Sequence, residues 1–281
     1  MPEGHTLHRL ALDLTEAFGG RPVRVGSPQG RFAAEAAQLD GQVLDGADAW
    51  GKQLFLEFPG ERYIHIHLGL YGKLALTPYA GAPADPVGQV RVRLVNETAY
   101  ADLRGATACD LWTRAQLEAC VAKLGPDPLR DDADPERAWA RISRSRAPIA
   151  GLLMDQGVLA GVGNVYRAEL LYRHRLDPMR PGNTLARRQW QAMWDDLVVL
   201  MHDGVKRNRI DTVRAEHTPE AMGRPPRVDD HGGEVYVYRR TGQPCLVCGR
   251  PVRTTELQGR NLFWCAGCQR PFRSRASARI R

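Results

Sequence analysis

Four cysteines near the end of the chain constrain the fold more than any other feature. They are Cys245-x-x-Cys248 and Cys265-x-x-Cys268, with sixteen residues between the pairs. Two such knuckles at this separation gather four thiolates around one tetrahedral Zn2+ and leave no coordination position open, so the ion stabilises structure and is not a catalyst. The chain between them must leave one knuckle and return to the other. Residues 252–257 and 261–264 read as two strands, with Gln258, Gly259 and Arg260 as the turn. A turn arginine on a stiffened hairpin is placed to grip a phosphate through both arms of its guanidinium. The other two cysteines, Cys109 and Cys120, read as small buried apolar residues.

Upstream, hydrophobic periodicity changes once. Leu7, Leu10, Ala11, Leu14, Ala17 and Phe18 recur at helical spacing over 6–18, and Gly19-Gly20 stops them. Short alternating runs follow at about 22–25, 42–47, 53–58, 62–67, 73–76, 89–95 and 98–103, separated by turn residues. In 63–68, Ile64, Ile66 and Leu68 share one face, which leaves His65 and His67 on a partly solvated strand face rather than as metal ligands. Gly125-Pro126-Asp127-Pro128 and 131–135 read as a linker. Beyond it the pattern is helical at 135–142, 149–154, 165–173 and 185–201, and 211–233 reads as a loop. The fold class expected is α+β and multidomain. A β-sandwich domain with a leading helix spans 1–124 and a helical domain 125–231. A zinc β-hairpin spans 232–270 and a basic tail 271–281.

No apolar run approaches the roughly 20 residues of a membrane span, and the start lacks a secretory hydrophobic block. The expected location is the cytoplasm, with no membrane partner. A formal charge of +7 favours a polyanion. Lysine is scarce (Lys52, Lys73, Lys123 and Lys206 alone), so each amine invites inspection. Lys52 sits in a turn between two strands, within reach of a nucleic-acid backbone.

Behind a removable Met1 stands Pro2-Glu3. A terminal proline nitrogen is a secondary amine with a reference pKa near 7.7–8.0 for an α-amino group. Attack on a sugar C1′ would expel the base and leave an iminium, which is Schiff-base catalysis without a lysine. The positive end of the following helix disfavours an ammonium there. Further on, residues 149–167 form a helix, a glycine-bearing connection and a second helix. Asn164 is expected at its N-cap, with free N–H groups able to hold a phosphate.

Together these pieces resemble the formamidopyrimidine-DNA glycosylase / endonuclease VIII family of base-excision repair enzymes. Pro2-Glu3, Gly51-Lys52, the Asp155-Gln156 to Asn164 segment and the four-cysteine hairpin stand in the family's order. The Asp155–Asn164 segment resembles its helix–two-turns–helix motif, and Leu124-Gly125-Pro126-Asp127-Pro128-Leu129 its interdomain stretch. The opening Pro2-Glu3-Gly4 and the run Gly69-Leu70-Tyr71 resemble the endonuclease VIII branch, as actinobacterial members do, although Gly69 replaces a glutamine. The resemblance implies a DNA glycosylase and abasic-site lyase that removes oxidised bases, pyrimidines above all, and cuts the strand by β,δ-elimination. It implies Pro2 as nucleophile and Glu3 as general acid, a carboxyl whose two roles call for an elevated pKa. Lys52, Asn164, Arg167 and Arg260 would bind phosphates, and Leu70 and Tyr71 would fill the gap left by a flipped nucleotide. One structural Zn2+ on Cys245, Cys248, Cys265 and Cys268 and a monomer acting on damaged DNA, double- or single-stranded, complete the expectation. Two alternatives stand beside it: an enzyme for oxidised purines, and a non-catalytic zinc-ribbon DNA-binding protein.

Overall fold

The computed structural model describes residues 2–228 and 233–273. The backbone falls into two compact units, 1–123 and 124–281. The expected basic tail from 274 onward lies outside the described residues.

The first unit opens with α1 (Gly4–Phe18), whose Leu7, Ala11, Leu14 and Phe18 form one buried stripe. Then follow β1 (Arg21–Gly26), α2 (Ala33–Leu39), β2 (Gln42–Leu44), β3 (Gly46–Trp50), β4 (Gln53–Phe58) and β5 (Arg62–His67). The unit continues with β6 (Lys73–Pro78), β7 (Val90–Val95), β8 (Ala99–Arg104), β9 (Ala108–Thr113) and α3 (Arg114–Val121). The strands form two antiparallel sheets, ordered β2-β1-β7-β8-β6 and β3-β4-β5-β9. Their inner faces share one core with α1, in which Val23, Leu94 and Leu103 of the first sheet meet Leu54, Leu56 and Ile64 of the second. This is a β-sandwich with a leading helix.

Three departures from the sequence reading have physical causes. The single strand expected at 42–47 is two, because Asp45 lets the chain cross from one sheet to the other: β2 pairs with β1, and β3 with β4. Strand β9 completes the second sheet beside β5, a pairing across more than forty residues that local pattern does not report. His65 is buried instead of partly solvated. Its ring stacks on Trp112 at 3.7 Å between centroids and its Nε2–H donates to Gln53 Oε1 at 2.7 Å.

The second unit contains α4 (Pro135–Ile142), α5 (Ile149–Leu152), α6 (Asn164–Arg173), α7 (Arg187–Arg207), α8 (Pro219–Met222) and the hairpin β10 (Arg253–Leu257) and β11 (Arg260–Trp264). Helix α5 is shorter than expected, α7 reaches further, and the expected loop at 211–233 carries α8. The helices and hairpin share one core: Ile149, Tyr166, Leu170 and Trp190 pack with Val252, Leu262 and Phe263. The expected linker also belongs to this unit. Gly125 N–H donates to Gln156 O at 2.9 Å and Ala160 N–H to Pro126 O at 3.1 Å. A Cβ on Gly125 would lie 2.3 Å from Val158 O, so only glycine permits that approach.

Candidate active site and metal centre

In the first unit the amino-terminal residues are positioned by α1. Glu3 is its N-cap, and Thr6 N–H donates to Glu3 O at 2.9 Å, but the Glu3 side chain makes no capping bond and is fully buried. At the other end of the helix, Ala47 N–H donates to Thr15 Oγ1 at 2.9 Å. Only three helical residues follow Thr15, so the long contact of α1 with β3 is made by the residues before it. The helix therefore runs back along the strand towards Trp50. Lys52 lies in the Gly51-Lys52 turn that joins β3 to β4, where Gly51 takes a φ of 58°. Lys52 is half-buried; burial lowers the pKa of His67, at the end of β5, and the Lys52 charge adds to that. Next to Glu3, His5 is buried and its pKa is pushed down to about 4, chiefly by that burial.

Leu70 and Tyr71 occupy the turn between β5 and β6. Gly72 N–H closes it on Leu68 O at 2.9 Å, and both side chains point outward, Tyr71 with 88% of its surface exposed. It is the one exposed aromatic among the described residues. The structure also accounts for Gly69. Its φ is +67°, and a Cβ there would sit 1.9 Å from Thr107 Oγ1, so a glutamine does not fit this backbone.

In the second unit the connection from α5 to α6 is organised by Gln156. Its Nε2 donates to Met154 O at 3.0 Å and Val162 O at 2.9 Å, while Gly161 N–H donates to its Oε1 at 3.0 Å. The cap of α6 is Gly163, not Asn164, which is the first helical residue. Asn164 Nδ2 donates to Asn261 O at 2.9 Å, and its Oδ1 accepts from Arg167. Arg167 is 1% exposed and also donates to Asn261 O at 3.2 Å. Buried this deeply, it joins α6 to the hairpin rather than presenting its guanidinium to solvent. The hairpin turn consists of Gln258 and Gly259, with φ of 53° and 70°, and Arg260 is the first residue of β11, paired with Leu257. Gln258 lies over Gly151 of α5, where a Cβ would come within 3.0 Å of its amide nitrogen.

Glu169 was not singled out by sequence, although an acid among Val165, Tyr166, Ala168, Leu170 and Leu171 was a signal. Fully buried, it accepts from Tyr236 N at 2.7 Å, Val237 N and Tyr238 N at 2.8 Å each, and Thr212 Oγ1 at 2.7 Å. It ties the approach to the metal module onto α6.

The four cysteine sulfurs lie within 4.8 Å of one another. Cys245–Cys268 and Cys248–Cys265 separations are 3.8 and 3.4 Å, against about 3.8 Å for a tetrahedron of Zn–S bonds near 2.3 Å. The donor set and its spacing fit zinc. Gln269 holds the second knuckle to the helices, accepting from Cys265 N at 2.9 Å and donating to Leu176 O at 2.9 Å.

Models of the formamidopyrimidine-DNA glycosylase N-terminal domain and of its H2TH domain match residues 1–109 and 124–215. A zinc finger found in FPG and IleRS matches 242–271. Endonuclease 8 1 of Mycobacterium tuberculosis is 52% identical over 96% of this chain and 100% of its own length. The chain belongs to the formamidopyrimidine-DNA glycosylase / endonuclease VIII family. Within that family, the formamidopyrimidine-DNA glycosylase of Stenotrophomonas maltophilia is 32% identical over 84% of this chain and 85% of its own. Lactococcus lactis Fpg, solved in complex with DNA containing N7-benzyl-Fapy-dG, has the same fold: TM-score 0.77 at 20% identity, covering 96% and 100% of the two chains. The four cysteines are the structural zinc site of this family member.

Proposed function

We propose that this DNA glycosylase and abasic-site lyase of base-excision repair works through Pro2 and Glu3 on damaged DNA, as a monomer, with a preference for oxidised pyrimidines. The observation that carries the reading is Glu3: its carboxylate is fully buried yet makes no capping bond to α1, and it directly follows Pro2. Once Met1 is removed, the Pro2 nitrogen attacks C1′ of the lesion nucleotide, and the C1′–base bond breaks with its electron pair on the base. Glu3 supplies the proton that the ring oxygen or departing base needs. The nitrogen lone pair then breaks the C1′–O4′ bond, the ring oxygen takes a proton, and the resulting iminium acidifies the C2′ hydrogen, so loss of that proton expels the 3′-phosphate and a second elimination expels the 5′-phosphate.

Lys52 in the first unit and Asn164 and Arg260 in the second hold backbone phosphates, which position the strand without reading its sequence. Arg167 acts through Asn164 by fixing its amide. Leu70 and Tyr71 fill the space of the everted nucleotide, and the outward aromatic supplies stacking. Pyrimidine preference is supported by this Leu-Tyr turn and by the likeness to a protein named Endonuclease 8 1. Bound Zn2+ supplies a cross-link between the two knuckles and no chemistry at the sugar.

Borohydride reduction tests the reading. The processed protein should form a covalent complex with duplex carrying an oxidised pyrimidine or an abasic site, and Pro2→Gly should form little. No adduct with the wild type, or an undiminished one with Pro2→Gly, rules out the terminal imine.

A further inference from the structure

A cavity of about 220 Å³ lies beside the zinc module, lined by Tyr172, Arg173, Arg175, Arg214, Glu216, His217, Tyr236, Val247 and Cys268. It is independent of the catalytic reading, since none of its residues has a part in that chemistry. The end of α6, the 214–217 stretch, Tyr236 and the metal knuckles form it.

Its charges are unequal. Arg173 is spent on Asp196, through contacts of 2.6 and 2.7 Å, and on Thr212 O at 2.5 Å. Arg175 and Arg214 have no acidic partner for their guanidinium groups among the described residues. The negative groups of the lining are Glu216, 3.8 Å from His217 Nδ1, and Cys268, whose charge as a thiolate is shared with the zinc it would hold.

The His217 ring is held by Tyr236. Tyr236 Oη accepts Arg214 N–H at 2.9 Å and lies 2.9 Å from His217 Nδ1. With the hydroxyl donating to Nδ1, the neutral ring carries its hydrogen on Nε2, a second donor type beside the guanidinium forks. The Tyr172 and Tyr236 rings stack at 4.5 Å between centroids and form the floor.

Arg175 carries a further sign of selection for its side chain. It follows the cap of α6 at a φ of +52°, and Leu176 N–H donates back to Leu171 O at 2.9 Å, the arrangement in which glycine is the usual residue. An arginine here accepts a steric cost that glycine avoids, and the residue lines the cavity.

We propose that this cavity binds a phosphoryl group, as inorganic phosphate, a mononucleotide or a DNA terminal phosphate, between Arg175, Arg214 and His217. A tetrahedral dianion accepts from several directions at once, as donors on separate segments require. Occupancy would clamp α6, the 214–217 stretch and the knuckle carrying Cys268 together.

The test uses the full zinc-loaded chain at constant ionic strength. Isothermal titration with inorganic phosphate should give saturable binding, and at ten times Kd the melting transition should rise by the equivalent of about a tenfold shift in the folding equilibrium. Arg214→Ala should lose both effects. Arg175→Gly should lose them while melting at or above the wild-type temperature without phosphate, which separates a lost ligand from a damaged fold. A deoxynucleoside 5′-monophosphate and oligonucleotides with and without a 5′-phosphate identify the source. Chloride or a glutamate-rich peptide matching phosphate in effect overturns the proposal, as does an undiminished response in both variants.

Discussion

Glu169→Gln isolates how the metal module is fastened to the helices. The native carboxylate meets four donors, two on each oxygen: Val237 N and Tyr238 N on Oε1, and Tyr236 N and Thr212 Oγ1 on Oε2. Glutamine keeps one acceptor oxygen. Its NH2 must face the other pair; on the Oε2 side the Thr212 hydroxyl can turn to accept from it and donate to Glu234 O, so Tyr236 N–H loses its partner in a fully buried site and the remaining bonds lose their charge. A hydrogen bond to a charged group is worth about 1.5–3 kcal/mol, and a buried donor left unmade costs about 1–3 kcal/mol. Allowing for non-additivity, the loss is about 2–4 kcal/mol, a large share of the 5–15 kcal/mol typical of a domain. Urea unfolding followed by tryptophan fluorescence should report the loss, and hydrogen exchange should place it at Tyr236, Val237 and Tyr238. A Gln variant within about 0.5 kcal/mol of wild type, with those amides equally protected, refutes the reasoning.

Tyr71→Ala should leave stability unchanged, since the ring is exposed, but lower kcat/KM on a lesion duplex by about 5- to 150-fold, the equivalent of about 1–3 kcal/mol of stacking; unaltered kinetics removes the wedge role. His5 stays neutral in the fold to a pKa of about 4, whereas the unfolded ring protonates near 6.5. Its contribution is complete above pH 6.5 and is lost as pH falls through 4, on the order of 3 kcal/mol. A His5→Asn chain should show a flatter acid loss in urea midpoints over that window, and identical slopes would contradict the assignment. Chelation should abolish exchange protection across the hairpin and at 235–238, because these share a core with the helices, while the sandwich stays protected. Full protection of the hairpin without zinc would show that the thiolates do not need the ion.

Features carried by neighbouring residues were legible in the sequence. Two C-x-x-C pairs determine a four-sulfur site because each knuckle delivers its ligands within one turn, and 3.8 Å across Cys245–Cys268 agrees with that expectation. The strands at 53–58 and 62–67 and the leading helix follow from side-chain period alone. What only the tertiary structure decided depends on partners distant in the chain. Asp45 splits a continuous β pattern because its two halves find different sheets. Gly125–Pro128 has the composition of a linker yet packs into the second unit, because Gln156 and Ala160 complete its hydrogen bonds. Arg167, expected at a phosphate, and Glu169, an acid among apolar neighbours, are both buried because segments some seventy to ninety residues later supply the groups that satisfy them. Period and spacing act over a few residues, whereas the cost of burying a charge is set by whatever polar atoms the folded chain brings to it.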